Sequence, residues 1–209
     1  MKSTILPDTV ILADGAFPEH EIPLEYLRKA SRIICCDGAA VSLVKSDLFP
    51  YAIVGDCDSL DSELSRKFSD RIFKDTDQET NDLTKAVRWC SEKGYKEVVI
   101  LGATGKREDH TLGNISLLVE YAQFMTVRMI TDTGIFYPIL ESTRFESSPG
   151  QQISVFSIDP DTEITSSGLK YPLNKRKLKN WWEATLNETV GDSFELKFEK
   201  GKVIVFLEF

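Results

Sequence analysis

Short, unbroken apolar runs alternate with stretches of helical periodicity through the first two thirds of this chain. The runs cover residues 9–13, 33–36, 52–54, 98–101 and 127–130, with a shorter one at 71–73. An apolar run without alternation suits a strand covered on both faces. Between the runs, Leu83, Val87 and Cys90 recur at helical spacing within 80–93, a stretch that Gly94 ends. Leu112, Ile115, Leu118, Val119 and Ala122 mark another helix. A strand–helix–strand series of this kind folds as a mostly parallel sheet with helices on both sides.

The pattern changes near residue 140. Residues 141–149 are polar, and Pro149-Gly150 marks a turn. Beyond it, Phe194, Leu196 and Phe198 alternate with Glu195, Lys197 and Glu199, and Val203, Val205, Leu207 and Phe209 alternate in turn. Lys200-Gly201 between them predicts a hairpin. The expected layout is an α/β N-terminal domain over residues 1–140, with a mostly parallel sheet, followed by a smaller all-β, sandwich-like domain over 141–209.

Composition limits the function classes. The 209 residues carry 25 Lys plus Arg against 33 Asp plus Glu, a net charge of −8. Such a surface repels phosphate backbones and argues against general nucleic-acid binding. A small anionic ligand still needs local cations, helix N-termini or a bound metal. No run approaches the ~18 apolar residues of a membrane span, so no membrane partner is expected. Cys35, Cys36, Cys57 and Cys90 form no C-x-x-C pair and only two histidines accompany them, which argues against zinc and for small buried thiols in a reducing compartment. With no secretory pattern at the start, a cytoplasmic protein is expected.

In an open parallel sheet, ligands bind beyond the carboxyl ends of the strands. Four successive strand ends carry acids here: Asp37-Gly38, then Gly55-Asp56-Cys57-Asp58-Ser59, then Asp75 through Asp82 with Asp77, Gln78 and Glu79 between, then Gly102-Ala103-Thr104-Gly105-Lys106-Arg107-Glu108-Asp109-His110. Carboxylates crowded on one sheet edge repel one another. A hard cation such as Mg²⁺, which takes oxygen ligands and substrate phosphates, resolves that conflict. Asp56 and Asp58 are two apart in one loop, and Asp77, Glu79 or Asp82 can add a ligand. Asp82 and Lys85 share a helix face, as do Arg107, His110 and Asn114. A helix N-terminus with Gly102, Gly105, Lys106 and Arg107 beside it forms a phosphate cradle.

Two known motifs come close to these runs. A P-loop needs glycine where Ile100 stands and Ser or Thr where Arg107 stands, so the Gly102 segment is not one. The stretch 52–60 is similar to the aspartyl-phosphate phosphatases of the haloacid dehalogenase type, with Asp56 as nucleophile. Leu60 stands where those enzymes usually have Thr or Val. A nucleotide- or vitamin-binding module without catalysis is the third reading.

In the second domain, Tyr171 offers a ring for stacking on a flat ligand. Trp181 and Trp182 are adjacent, so an extended chain would send one to the core and one outward. The basic run Lys175-Arg176-Lys177 reads as a solvated loop.

Taken in order, Asp37-Gly38-Ala39-Ala40, Gly55-Asp56-Cys57-Asp58-Ser59, Asp77-Gln78 with Asp82 and Lys85, Gly102-Ala103-Thr104-Gly105 with Arg107, Asp109 and His110, and Leu112 with Asn114 resemble the catalytic domain of the thiamine pyrophosphokinase family. Ser167-Gly168-Leu169-Lys170-Tyr171-Pro172-Leu173 is similar to that family's substrate-domain signature. Departures are Asn81 in place of a usual Thr, Lys106 in place of a common glycine, and Leu186 before Asn187 where Ser is usual. The resemblance implies transfer of the pyrophosphoryl group of ATP to the primary hydroxyl of thiamine, releasing AMP. It implies Mg²⁺ on Asp56, Asp58 and Asp82, with Asp77 as a further ligand. It places ATP or its phosphates against Asp37, Gly38, Gln78, Lys85, Thr104, Gly105, Arg107, Asp109, His110 and Asn114. It places thiamine against Gly168, Leu169, Tyr171 and Asn187, in a homodimer whose subunits share the active site.

Overall fold

The structure is a computed structural model, and it describes residues 8–57, 60 and 62–209. The chain divides into two compact units. The first holds residues 8–115 and 124–132 of those described, and the second holds 116–123 and 133–209.

The first unit is built on a parallel sheet. Its strands are β1 (Thr9–Leu12), β2 (Arg32–Cys36), β3 (Ala52–Gly55), β4 (Ile72–Lys74), β5 (Glu97–Leu101) and β6 (Thr126–Ile130), in the spatial order β6-β5-β1-β2-β3-β4. Every pairing among them is parallel. The central strands are apolar throughout because helices cover both faces: Val10, Ile11, Ile34, Cys35, Ile53 and residues 98–101 have essentially no solvent contact. Burying an aliphatic side chain of this size contributes roughly 1.5–3 kcal/mol, so this sheet fixes the unit. Strand order reverses between β1 and β5, and crevices for ligands open at such reversals, beyond the carboxyl ends of the strands.

The helices of this series are α1 (Glu21–Lys29), α2 (Ala39–Lys45), α3 (Ser62–Lys67), α4 (Asp82–Glu92) and α5 (Glu108–Tyr121). Helix α4 starts where Asn81 accepts hydrogen bonds from the Thr84 amide at 2.9 Å and the Thr84 hydroxyl at 2.8 Å. A side-chain cap of this kind is worth about 0.5–2 kcal/mol. It stops at Gly94, whose φ of +78° suits glycine, with Tyr95 N–H returning to the Cys90 carbonyl. Leu83, Val87 and Cys90 are buried as their spacing predicts. Helix α5 departs from its expected stripe: Leu118 and Val119 are buried, but Leu112 is 54% exposed.

The second unit is antiparallel. Strands β7 (Gly134–Ile139), β9 (Gln152–Ser157), β12 (Asn187–Glu188) and β14 (Val203–Glu208) lie in the order β12-β9-β14-β7. Strands β8 (Thr143–Glu146), β10 (Glu163–Ser167), β11 (Arg176–Lys177) and β13 (Ser193–Lys197) form the order β11-β10-β13-β8. Residues 133–140 group with this unit, where β7 pairs along its whole length with β14.

The predicted hairpin across Lys200-Gly201 does not form. Strand β13 pairs with β8 and β10, whereas β14 pairs with β7 and β9. The chain crosses from one sheet to the other at Gly201, where an added Cβ would lie 2.1 Å from the Thr162 hydroxyl. The alternating residues serve facing sheets: Phe194, Leu196 and Phe198 meet Val203, Val205 and Leu207 in one core, whereas Phe209 is exposed and Ile204, between Val203 and Val205 in sequence, is buried as well. Phe194 is 1% exposed and stacks on Phe145 at 5.0 Å. Replacing it with alanine is expected to cost about 3–5 kcal/mol, read as a lower denaturant midpoint for the second unit. An unchanged midpoint would contradict this core assignment.

Candidate active site

The carboxyl ends of β1, β2, β3 and β5 converge on a cleft of about 480 Å³. Its chemical centre is a trio of acids. Ligand oxygens of Asp37, Asp56 and Asp82 all lie within 4.8 Å of one another. Asp37 follows β2, Asp56 follows β3, and Asp82 opens α4, so three loops far apart in sequence supply them. Gly55 makes the approach feasible: a Cβ there would sit 3.0 Å from the Asp37 Cβ and 3.2 Å from an Asp82 oxygen.

Three carboxylates at this spacing repel by about 3 kcal/mol or more per pair at an effective dielectric of roughly 20. Lys85 partly offsets that. Its side chain is 4% exposed, and its ammonium donates to Asp82 at 3.0 Å. Burial, the largest single influence, disfavours the Lys85 charge, but the hydrogen bond and charge of Asp82, with Asp56 and Asp75 behind it, hold its pKa above the ordinary value. The donors are all carboxylate oxygens, a set that fits a hard divalent ion.

The cleft wall opposite is the start of α5. Arg107, His110, Thr111 and Asn114 line it on one helix face, with Ala103, Thr104 and Lys106 from the loop after β5. That loop is fastened to the loop after β1: Gly15 N–H donates to the Gly102 carbonyl at 2.6 Å, and Ala16 N–H to that of Thr104 at 2.7 Å. A Cβ on Gly15 would meet those carbonyl oxygens at 2.3 and 2.4 Å, so glycine is required there. Asn114 ties the same loop to α4, donating to the Ala103 carbonyl at 2.9 Å and accepting from Asn81 at 3.1 Å.

The predicted residues divide into three groups. Asp56, Asp77, Gln78, Asp82, Lys85, Thr104, Arg107, His110 and Asn114 all line the cleft. Asp37, expected against ATP or its phosphates, belongs to the acid trio, is buried and is not among the lining residues. Asp77 stands outside the trio. Its carboxylate accepts from the Thr80 hydroxyl and the Glu79 amide and pairs with Arg88, contacts that lower its pKa. Asp58 and Ser59 lie outside the described residues. Gly38, Gly105 and Asp109 are not among the lining residues. Asp109 is bound to Arg107 at 2.5 Å, which lowers the carboxyl pKa and raises that of the guanidinium. The sequence reading missed Asp14 and Gly15. Applied to β1, the same strand-end rule would have found them.

In the second unit, the four residues expected at a thiamine pocket have different roles. Leu169 is buried in the sandwich core. Gly168, at φ +79°, packs where a Cβ would lie 2.5 Å from the Ser193 carbonyl. The Asn187 amide is spent internally, accepting from the Tyr171 N–H at 3.1 Å and donating to the Tyr171 carbonyl at 2.8 Å. Tyr171 itself, held by those bonds, is 62% exposed. Trp181 and Trp182 lie in a turn, not an extended segment, and neither is buried; Trp181 packs edge-on against Phe156.

Residues 24–130 match the family model for the thiamin pyrophosphokinase catalytic domain, and residues 134–206 match that for its substrate-binding domain. The chain belongs to the thiamin pyrophosphokinase family. A thiamine pyrophosphokinase of Bacillus subtilis is 29% identical over 202 residues, covering 91% of this chain and 90% of that protein. Thiamin pyrophosphokinase 1 of Caenorhabditis elegans is 26% identical over 166 residues, covering 72% and 68%. The crystal structure of a thiamine pyrophosphokinase from Bacillus subtilis superposes with a TM-score of 0.78 at 25% identity, covering 96% of this chain and 98% of that one. In this family member the boundary between the two matches, 130 to 134, falls where the compact units part.

Cys57, at φ +62°, is next to the acid trio. Burial first, then the charge of Asp37, pushes its thiol up to about 11. A raised pKa keeps the thiolate scarce below that pH, so alkylation by iodoacetamide at pH 8 is expected to run about a hundredfold slower than for an unperturbed thiol. Denatured protein supplies the reference rate. Labelling of Cys57 as fast as in that reference would contradict the assignment.

Proposed function

We propose that this chain transfers the pyrophosphoryl group of ATP to the primary hydroxyl of thiamine, giving thiamine diphosphate and AMP. The observation that carries the reading is the Asp37–Asp56–Asp82 trio, of which Asp56 and Asp82 line one cleft together with the start of α5, in a chain of this family. Pyrophosphoryl transfer depends on charge neutralisation and in-line positioning more than on covalent help from the protein. Asp37, Asp56 and Asp82 would hold Mg²⁺, with Asp58 as a further ligand, and the ion would neutralise and orient the triphosphate. Lys85 holds Asp82 in place through their hydrogen-bonded ion pair. Arg107, His110 and the α5 N-terminus receive phosphate oxygens. Asp56 or Asp82 accepts the proton of the thiamine hydroxyl as its oxygen attacks the β-phosphorus and AMP departs.

Tyr171 stacks on the thiamine ring, and Asn187 acts as the residue that positions it. The exposed Tyr171, Trp182, Leu186 and Val190 of the second unit support a homodimer. The free cysteines, three of them buried, fit a cytoplasmic setting. No helix among the described residues is long and apolar enough to cross a membrane.

The direct test is incubation with ATP, Mg²⁺ and thiamine. AMP and thiamine diphosphate are expected in equal amounts, with no phosphoenzyme; orthophosphate and a trapped adduct on Asp56 would instead favour the phosphatase chemistry. Asp56→Asn or Asp82→Asn is expected to lower kcat by at least about a hundredfold while thiamine still binds, and full activity in either would remove that residue from the metal site. Tyr171→Ala is expected to raise the thiamine KM roughly two- to tenfold, as loss of an aromatic stack would, and to leave the ATP KM near its original value. Equal changes in both would take Tyr171 out of the pocket.

A further inference from the structure

Among the described residues, every lysine and arginine that lines the cleft is already on a carboxylate. Lys85 is on Asp82, Arg107 on Asp109, and Lys106 on Asp14. A polyphosphate entering this cleft therefore finds no cation waiting and must displace a partner. The three pairs differ in how readily they open. Lys85 is buried, and its loss of Asp82 would leave an ammonium unpaired inside the protein, a costly state. Arg107 and Asp109 are two residues apart at the start of α5, a local pair. The Lys106–Asp14 pair alone bridges two loops, at 2.9 Å across 92 residues of sequence. Both of its side chains are half exposed and both line the cleft.

We infer that Lys106 is a polyphosphate-binding residue masked by Asp14, so that nucleotide binding exchanges the carboxylate for phosphate oxygens. An exposed lysine–carboxylate pair is worth only about 0–1 kcal/mol, so little opposes the exchange. A triphosphate carries several negative charges against the single charge of Asp14 and wins the ammonium. The geometry keeps Lys106 at hand: the backbone bonds from Gly15 to Gly102 and from Ala16 to Thr104 hold the two loops together beside the pair. When the pair opens, Lys106 remains anchored at the cleft. Asp14 thus sets the nucleotide affinity without touching the reacting atoms, as a specificity-determining carboxylate that only a more highly charged anion displaces.

The inference rests on the kinase reading of the cleft, and calorimetry with Mg²⁺ and α,β-methylene-ATP separates the two. Wild-type protein is expected to bind the analogue. Asp14→Asn is expected to bind it about two- to fivefold more tightly, and Lys106→Met about two- to fivefold more weakly. In the Lys106→Met background, Asp14→Asn is expected to change the affinity far less than it does alone. That coupling separates release of Lys106 from a general loss of repulsion. An equal gain in both backgrounds, weaker binding by Asp14→Asn, or an unchanged affinity in Lys106→Met would overturn the exchange and leave the kinase reading standing. Absence of binding by the wild-type protein would overturn both.

Discussion

Repulsion among Asp37, Asp56 and Asp82 is the constraint around which the catalytic unit is organised. Three carboxylates within 4.8 Å of one another do not sit together unless the scaffold forces them and a positive charge relieves them. The forcing comes from a parallel sheet whose interior strands are almost wholly dry. Part of the relief inside the protein comes from a buried lysine, Lys85, fixed on the same helix as Asp82. Gly55 supplies the remaining condition by leaving out a side chain where two of the acids meet. The excess negative charge makes the site receptive to a divalent cation and to nothing anionic that arrives alone.

The phosphate-facing wall meets the opposite problem. A chain of net charge −8 must attract a polyanion at one place, and it does so with a few cations gathered at a helix start. Each of those cations is kept on a carboxylate neighbour. Recognition is then a comparison between anions, which favours the more highly charged one. The amides of Asn81 and Asn114 join this wall to the acid side through the Ala103 carbonyl. The two halves of the cleft are therefore fixed to each other by neutral hydrogen bonds that do not disturb the charge balance.

The second unit uses its polar residues differently. Asn187 commits its amide to the backbone of Tyr171, and Gly168 gives up a side chain so that its loop can pack against β13. Asn187 thereby fixes the backbone that carries the exposed ring of Tyr171.

Much of this was legible in the chain. Unbroken apolar runs located the central strands of the parallel sheet, because a strand buried on both faces has no polar side to show; the edge strand β4, with Phe73 37% exposed, is not of that kind. The rule that ligands bind beyond strand ends then pointed to Asp56, Asp82 and the Gly102–Arg107 loop. Tertiary structure alone decided which acids meet. Asp77 is as acidic and as well placed in sequence as Asp37, yet its loop turns it toward Thr80 and Arg88 while Asp37 is carried to the trio. The partners of β13 and β14 were likewise undetermined, since alternation reports that a face is buried and not which strand lies beside it. Leu112 fits the helical stripe but is left exposed, for periodicity gives a direction around a helix and not what stands there. Local sequence fixes conformation through short-range sterics and hydrogen bonds; convergence of distant loops depends on how the sheet orders its strands, and no spacing along the chain encodes that order.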